Sequence, residues 1–200
     1  MSGSPPTGDA GAQGLDIGTL RAQIPVQATD QSGDPDDRAL DRHHLRVVAM
    51  EPAIGPALDR FHEALSVDTT RSRFLGVHPH LSPAELMRFT HVDHDEREAL
   101  VVVDPQGEVV AVGRFDRLPD QPSHAEVAFV VADAWQHRGV GSALFTRLTA
   151  RACELGVTRL VADTLASNRA MRTVFRHGGH PVREDLGAGV VTVTIELTPS

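Results

Sequence analysis

The sequence predicts a mixed α+β domain with six or seven strands and about four helices. Two β-rich runs, residues 99–104 and 108–115, are joined by a Pro-Gln-Gly turn and therefore predict an antiparallel hairpin. A later strand–helix–strand unit, residues 124–164, requires a parallel pair, because the crossover helix returns the chain in the same direction. Both pairings in one chain of 200 residues indicate a single mixed sheet.

Residues 1–41 differ in composition from the rest of the chain. They are rich in Gly, Pro, Ser, Asp and Gln and contain only two short apolar islands. Such a segment cannot bury enough surface to offset the entropy lost on ordering. We therefore predict a disordered N-terminal tail over residues 1–41 and one folded domain over residues 42–200.

The first elements of the domain follow from periodicity and capping. Residues 45–50, "LRVVAM", predict a short strand, and residues 56–66, "PALDRFHEALS", place their apolar side chains on one helical face. A further helix begins at Ser82, which is a suitable N-cap. Pro83 takes the first helical position and Glu85 completes a capping box.

The second half of the domain carries most of the sheet. After the hairpin, the "RLPDQPS" loop leads to a strand that we expect to be antiparallel to it. Glycines end both of the later helices. The predicted elements are a strand at 124–131, a helix at 140–155, a strand at 158–164, a helix at 167–179 and a pair of strands at 181–185 and 190–197.

Composition excludes several classes of function. The net charge of −8 argues against general binding to nucleic acid. The chain contains no lysine, so a Walker-type phosphate loop is excluded, and its one cysteine, Cys153, allows neither an internal disulfide nor a paired-cysteine zinc site. No apolar run has the length of a membrane span, and no secretory signal is visible. We expect a cytoplasmic protein without membrane or nucleic-acid partners; its oligomeric state stays open.

The segment "QHRGVG", residues 136–141, lies where a strand has ended and a long helix begins. Backbone N–H groups at a helix start have no helical partner, and the helix dipole adds partial positive charge. Glycines at 139 and 141 allow an anion to approach the backbone, and Arg138 adds a permanent cation. The junction therefore predicts an anion site, of the kind that binds a diphosphate.

A dinucleotide-binding turn of the Rossmann type is the first alternative. Gly139 and Gly141 open a helix after a strand, and Asp163 lies at a suitable distance. However, Leu144 replaces the third glycine, the seven residues 132–138 are too many for the tight turn, and the preceding hairpin is antiparallel. These details disfavour the Rossmann interpretation.

The pattern Q-x-x-G-x-G at the head of the long helix resembles the acetyl-CoA signature of the GNAT acyltransferase superfamily. The later "NRAMRTVFRHGG", residues 168–179, is similar to a second motif of that family, and the resemblance covers residues 44–198. Within the family, these segments are most similar to the catalytic domain of bacterial protein lysine acetyltransferases of the actinobacterial, cyclic-AMP-regulated type.

The resemblance implies a GNAT fold whose sheet is splayed between the fourth and fifth strands, with acetyl-CoA as co-substrate and no metal. The pantetheine arm would enter the splay, and the diphosphate would bind the amides of residues 137–142. Asn168 either contacts the pantetheine or caps its helix. The implied acetyl-CoA-binding residues are Phe129, Val130, Val131, Gln136, His137, Arg138, Gly139, Val140, Gly141, Ser142 and Asn168.

The resemblance also implies the catalytic groups. Glu126 lies on the strand before the signature, where we expect it to be partly buried and to act as general base; a surface carboxylate is the alternative. His124, on the same strand face, is an alternative base or a second member of a relay. Phe175 stands where many relatives have the tyrosine that protonates the leaving thiolate, so water, the new ammonium group or His177 must replace it. We expect the backbone N–H of Val131 or its neighbour to stabilise the oxyanion.

The sequence thus predicts an acetyl-CoA-dependent N-acetyltransferase whose acceptor is an amine, with a protein lysine favoured. Two alternatives remain open: acetylation of a small amine, and an acyl-CoA-binding sensor module without catalysis. The sequence identifies neither the individual acceptor nor a regulator.

Overall fold

The computed structural model describes residues 37–76 and 78–198. Its centre is a seven-stranded sheet in the order β1-β2-β3-β4-β5-β7-β6. The strands are β1 (Arg46–Ala49), β2 (Arg97–Val103), β3 (Val109–Leu118), β4 (Gln121–Val131), β5 (Arg159–Leu165), β6 (Val182–Gly187) and β7 (Val190–Glu196). The upper prediction of seven strands is confirmed, as is the mixed α+β class.

Strand directions are those predicted. The hairpin of β2 and β3 is antiparallel, and β4 pairs antiparallel with β3 over eight residue pairs. The single parallel pair within the described residues joins β4 to β5 across the crossover helix. The closing strand β7 lies between β5 and β6 and is antiparallel to both.

The described part of the chain contains six α-helices rather than about four. They are α1 (Asp37–Arg42), α2 (Gly55–Glu63), α3 (Val67–Phe74), α4 (Pro83–Thr90), α5 (Val140–Glu154) and α6 (Arg169–His177), with 3-10 turns at Pro52–Ile54 and Asp133–Trp135. Periodicity did not identify α3, because its sequence "VDTTRSRF" has apolar residues only at its two ends. The N-cap at Ser66 starts this helix, since its hydroxyl accepts from the amide of Thr69.

The predicted tail, residues 1–41, overlaps the first helix of the described structure. Residues 37–42 form α1, which packs on α5. Ala39 and Leu40 are buried, and Leu40 belongs to the main core together with Leu45. A short apolar pair in a polar segment gives almost no periodic signal, yet burial against a preformed core is sufficient to order one helical turn or more. The remaining tail, residues 1–36, lies outside the described residues.

Two cores cover the two faces of the sheet. The larger core lies between the sheet and helices α5 and α6, and Phe115, Phe145 and Phe175 are its largest fully buried side chains. The smaller core lies beneath α2 and α4 and includes Met50 and Phe61. The strands follow the period of two: Ala125, Val127 and Phe129 of β4 belong to the larger core, whereas Val130, on the other face, packs against the smaller core.

Candidate active site

The parallel pairing of β4 and β5 ends early. Its last pair is Glu126 with Val161, although both strands continue for another four or five residues. From this point the strands separate and leave a V-shaped gap in the middle of the sheet. The predicted splay between the fourth and fifth strands is therefore present.

A cavity of about 840 Å³ occupies this gap and extends through the sheet. On one side it is lined by α3, including Ser72 and Arg73, and on the other by α6, including Asn168 and Val174. The loop before α5 closes one end. This cavity is therefore large enough to hold an extended ligand between the two strands.

Backbone groups of β4 face the gap at alternate residues. The amide of Ala132 donates to the carbonyl of Val110 on β3. Alternation in an antiparallel pair then directs the N–H and C=O groups of Val130 to β3, and those of Phe129 and Val131 to the gap. Of the three predicted β4 residues, Phe129 can offer its N–H and C=O to a ligand and Val131 its N–H, because the Val131 carbonyl already accepts from the Gln136 side chain. Val130 also lines the cavity, but its main-chain groups are directed to β3.

The glycine loop lies across the cavity end, and Gly139 is required there for two reasons. Its φ is +83°, in the left-handed region, and a Cβ would lie 2.9 Å from the Cβ of Ala39 on α1. At Gly141 a Cβ would meet only Val131 and Val174, at ordinary contact distances of 3.6 and 3.7 Å. The protein's own packing thus permits a side chain at 141, and its absence leaves the helix start open to the cavity.

The remaining residues of the signature divide into two groups. His137 and Ser142 line the cavity, and no side chain caps the N-terminus of α5, so its first amides are left for a ligand. Arg138 and Val140 do not line it. The guanidinium of Arg138 lies over the ring of Trp135, with 5.4 Å from Cζ to the ring centroid, and the Val140 side chain is wholly buried in the core. Val140 therefore offers only its backbone.

Gln136 has a partner that the sequence did not predict. Its amide donates to the carbonyl of Val131 at 3.1 Å and to the hydroxyl of Thr69 at 3.0 Å. Beside it, the carboxylate of Asp133 accepts from the hydroxyls of Thr69 at 2.7 Å and Ser66 at 2.6 Å and from the Ser66 amide. Burial acts to raise the pKa of Asp133, but these hydrogen bonds outweigh it and lower that pKa. The network joins α3 to the loop that precedes the signature.

Asn168 and Phe175 both line the cavity from α6. The Asn168 side-chain oxygen accepts from the amide of Met171 at 3.1 Å, so the helix-cap role is present, and the cap leaves the amide nitrogen unused. Phe175 packs edge-on to Phe145 with ring centroids 5.5 Å apart. The aromatic ring at this position is therefore held in the core.

Glu126 and His124 lie at the narrow end of the gap. Glu126 is in the last parallel pair, and His124 lies two residues earlier, opposite Arg159. Neither lines the cavity. Glu126 is exposed, so the expectation of partial burial is wrong. Helix α3 contacts β4 but leaves the Glu126 side chain exposed.

Arg73 on α3 is a functional candidate that the sequence did not indicate. It lines the cavity and lies near enough to Arg114, Asp116 and Glu126 for their charges to act on it. Burial and the neighbouring Arg114 lower the pKa of Arg73 to about 10, which leaves the guanidinium charged at neutral pH. A cation that lines the cavity therefore lies within electrostatic range of Glu126. The sequence offers no indication of this residue, because it belongs to no recognised motif and its helix has no apolar periodicity.

Two arginines of α6 form ion pairs outside the cavity lining. Arg172 and Arg176 both donate to one carboxylate oxygen of Glu184 on β6, at 2.5 and 2.6 Å. These pairs fasten α6 to the terminal hairpin. Arg169, the first residue of α6, lines the cavity.

Comparison with known proteins agrees with this geometry. The model of the acetyltransferase (GNAT) family matches residues 59–179. The splayed sheet with a glycine loop before its long helix defines this class, and the chain belongs to the GNAT family.

Two individual relatives show to which members of the family this chain is similar. Acetyltransferase Pat of Mycolicibacterium smegmatis is 44% identical over 94 residues, which are 46% of this chain and 28% of that protein. The crystal structure of the GNAT domain of S. lividans PAT is 34% identical, with a TM-score of 0.71 over 76% of this chain and 90% of that domain. The chain thus spans less than a third of the curated relative and most of the solved domain.

The fold is also shared with the Salmonella typhimurium protein yncA, solved with its cofactor acetyl-CoA. That structure is 16% identical, with a TM-score of 0.63 over 78% of this chain and 95% of the other. In the described residues of this chain, the open helix start at Gly141 and the gap-facing groups of Phe129 and Val131 fit such a ligand.

Two negative findings concern the same described residues. No helix there has the length and apolar character that a bilayer crossing requires. Nor are three or more His, Cys, Asp or Glu side chains grouped there as metal ligands.

Proposed function

We propose that this chain transfers an acetyl group from acetyl-CoA to the side-chain amine of a lysine in a protein. The observation that carries the proposal is the cavity through the sheet, which has unpaired helix amides at one end and closes, at the other, where β4 and β5 come together. Glu126 belongs to the last β4–β5 residue pair, just outside the cavity lining. The similarity to acetyltransferase Pat and to the S. lividans domain supports acetyl transfer. The sequence motifs, which resemble those of bacterial protein lysine acetyltransferases, favour a lysine acceptor.

The acetyl-CoA-binding residues fall in two places along the cavity. The amides of residues 140–142, with His137 and Ser142, are suited to the diphosphate, because a helix N-terminus favours negative charge. The gap-facing main-chain groups of Phe129 and Val131 are suited to the amides of the pantetheine arm. Bound in this way, acetyl-CoA supplies an acetyl thioester at the narrow end of the gap.

A lysine acceptor needs help with proton removal. Its reference pKa of about 10.4 makes deprotonation at pH 7 cost about 4.6 kcal/mol. Glu126 is the carboxylate at the narrow end, and its exposure allows it to accept the proton directly or through water. His124 is the second candidate for this step. The gap-facing N–H groups of β4 are suited to stabilise the oxyanion that forms on the acetyl carbon.

The acceptor class can be tested by measuring free coenzyme A released in the presence of different amines. We expect release with a lysine-bearing protein or peptide and little with spermidine, free amino acids or aminoglycosides. This chain contains no lysine, so any acetyl-lysine detected by mass spectrometry belongs to the acceptor. Release with small amines alone would favour a small-molecule enzyme, and tight acetyl-CoA binding without any release would favour a sensor module.

The role of Glu126 has its own test. Glu126→Gln should lower lysine acetylation by about two orders of magnitude, the usual contribution of a general base, and leave acetyl-CoA affinity unchanged. Glu63→Gln is the matched control, because Glu63 is an exposed carboxylate on α2. Unchanged transfer in Glu126→Gln would remove Glu126 from the mechanism; His124→Gln would then test the alternative base.

A further inference from the structure

The cavity contains one buried hydroxyl without a partner. Thr164 on β5 is 3% exposed, and its Oγ1 has no hydrogen-bond partner among the described residues. Thr164 is one of the residues that line the cavity. A buried hydroxyl without a hydrogen bond destabilises a folded protein, so its retention at a ligand cavity points to a bond made in the complex.

The position of Thr164 limits what this bond can reach. It lies three residues beyond Val161, the last β5 residue paired with β4, and is therefore on the wall of the open gap. It shares a strand face with Ala162, which packs in the same core as Phe175. Thr164 and Phe175 thus line one side of the cavity. Phe175 stands at the position where many relatives have a tyrosine, so this position supplies no hydroxyl here.

We infer that the Thr164 hydroxyl donates a hydrogen bond to the sulfur of coenzyme A as the thioester breaks, a role that rests on the proposed acetyl transfer. In that step the amine nitrogen bonds to the acetyl carbon and the carbon–sulfur bond breaks, with its electron pair remaining on sulfur. The amine proton goes to Glu126 or to water. Thr164 keeps its own proton, and the thiolate, whose conjugate thiol has a pKa of about 8.5, later takes a proton from solvent.

Titration with two ligands tests this assignment without an acceptor. Coenzyme A and acetyl-CoA differ at the sulfur, and only coenzyme A forms a thiolate. At pH 9, where the thiolate is abundant, Thr164→Val should bind coenzyme A about tenfold more weakly than the unaltered protein, because a hydrogen bond to a charged group is lost. Its affinity for acetyl-CoA should change less than about twofold, and its single-turnover transfer rate should fall about tenfold.

Two variants control the experiment. Thr164→Ser keeps the hydroxyl and should retain the coenzyme A affinity. Thr149→Val removes another buried hydroxyl, one that donates to the carbonyl of Thr146 outside the cavity lining, and should lose stability without losing affinity. Thr164→Val should melt no lower than the unaltered protein, since the ligand-free fold loses only an unpaired hydroxyl.

Two results would overturn the assignment. An equal loss of affinity for both ligands would place the hydroxyl on the shared pantetheine arm, and no loss for either would remove it from the site. Neither result affects the proposed acetyl transfer, whereas failure of the unaltered protein to bind both ligands would contradict that proposal itself.

Discussion

The two edges of β4 differ although they belong to one strand. Towards β3 the strand forms eight residue pairs, whereas towards β5 it forms three and then separates. The β3 edge uses its backbone groups for the sheet, and the β5 edge leaves Phe129 and Val131 with groups that face a cavity. One strand therefore serves folding on one side and ligand binding on the other, and mutations on the two sides should fail in different ways.

We call the side of β4 that pairs with β3 the closed edge and the side that faces the gap the open edge. The largest effect on stability is expected at the closed edge. Phe115 of β3 is fully buried in the main core opposite Val127. Phe115→Ala should lower the free energy of unfolding by about 3–5 kcal/mol, measured by urea denaturation, because it leaves a cavity in a closely packed core. The variant that remains folded should bind acetyl-CoA almost normally; a specific loss of affinity without loss of stability would contradict the division between the edges.

A smaller effect on stability and a larger one on binding are expected at the end of the open edge. Gly139→Val places a β-branched side chain at a φ of +83° and against Ala39. Strain of about 1–3 kcal/mol should distort the loop and weaken acetyl-CoA binding, measured by calorimetry, by tenfold or more. Gly156→Val is the control, since Gly156 has a similar φ of +78° with no neighbouring atom within 4 Å. It should lose stability and keep its affinity.

The smallest effect concerns the link between α3 and the open edge. Asp133→Asn should destabilise the protein by about 1 kcal/mol at pH 7, because the carboxylate accepts hydrogen bonds from Ser66 and Thr69. The pKa of Asp133 is lowered in the folded protein, so this stabilisation is present above the ordinary value of 3.8 and is lost as pH falls through the lowered pKa. The stability difference between the two proteins should therefore shrink below pH 3.8. A difference that does not vary with pH would assign it to side-chain packing instead.

Much of this comparison was accessible from the sequence. The strand–helix–strand unit required the parallel pair, and the two glycine-containing motifs located the cavity beside it. The alternation of β4 is a period-two pattern, yet which residues face the gap depends on the register with β3, which one hydrogen bond from Ala132 reveals.

Other parts of the site carry no local signal. Helix α3 is held by its Ser66 cap and by Asp133, 67 residues away, so neither its existence nor the location of Arg73 follows from periodicity. The unpartnered state of Thr164 is likewise a property of its three-dimensional surroundings. Sequence patterns identify the main-chain framework of this site better than the side chains that reach it from other elements.

Helix α1 has a practical consequence for work with this protein. Ala39 rests against Gly139, and the ring of His43 packs edge-on to Trp135 at 5.5 Å, so the residues just before the first strand brace the loop that is suited to the diphosphate. A shortened chain that starts at residue 42, where composition alone sets the domain boundary, would keep every strand of the sheet and still remove half of that support. Weak acetyl-CoA binding by such a fragment would result from the truncation and would not represent the affinity of the 200-residue chain.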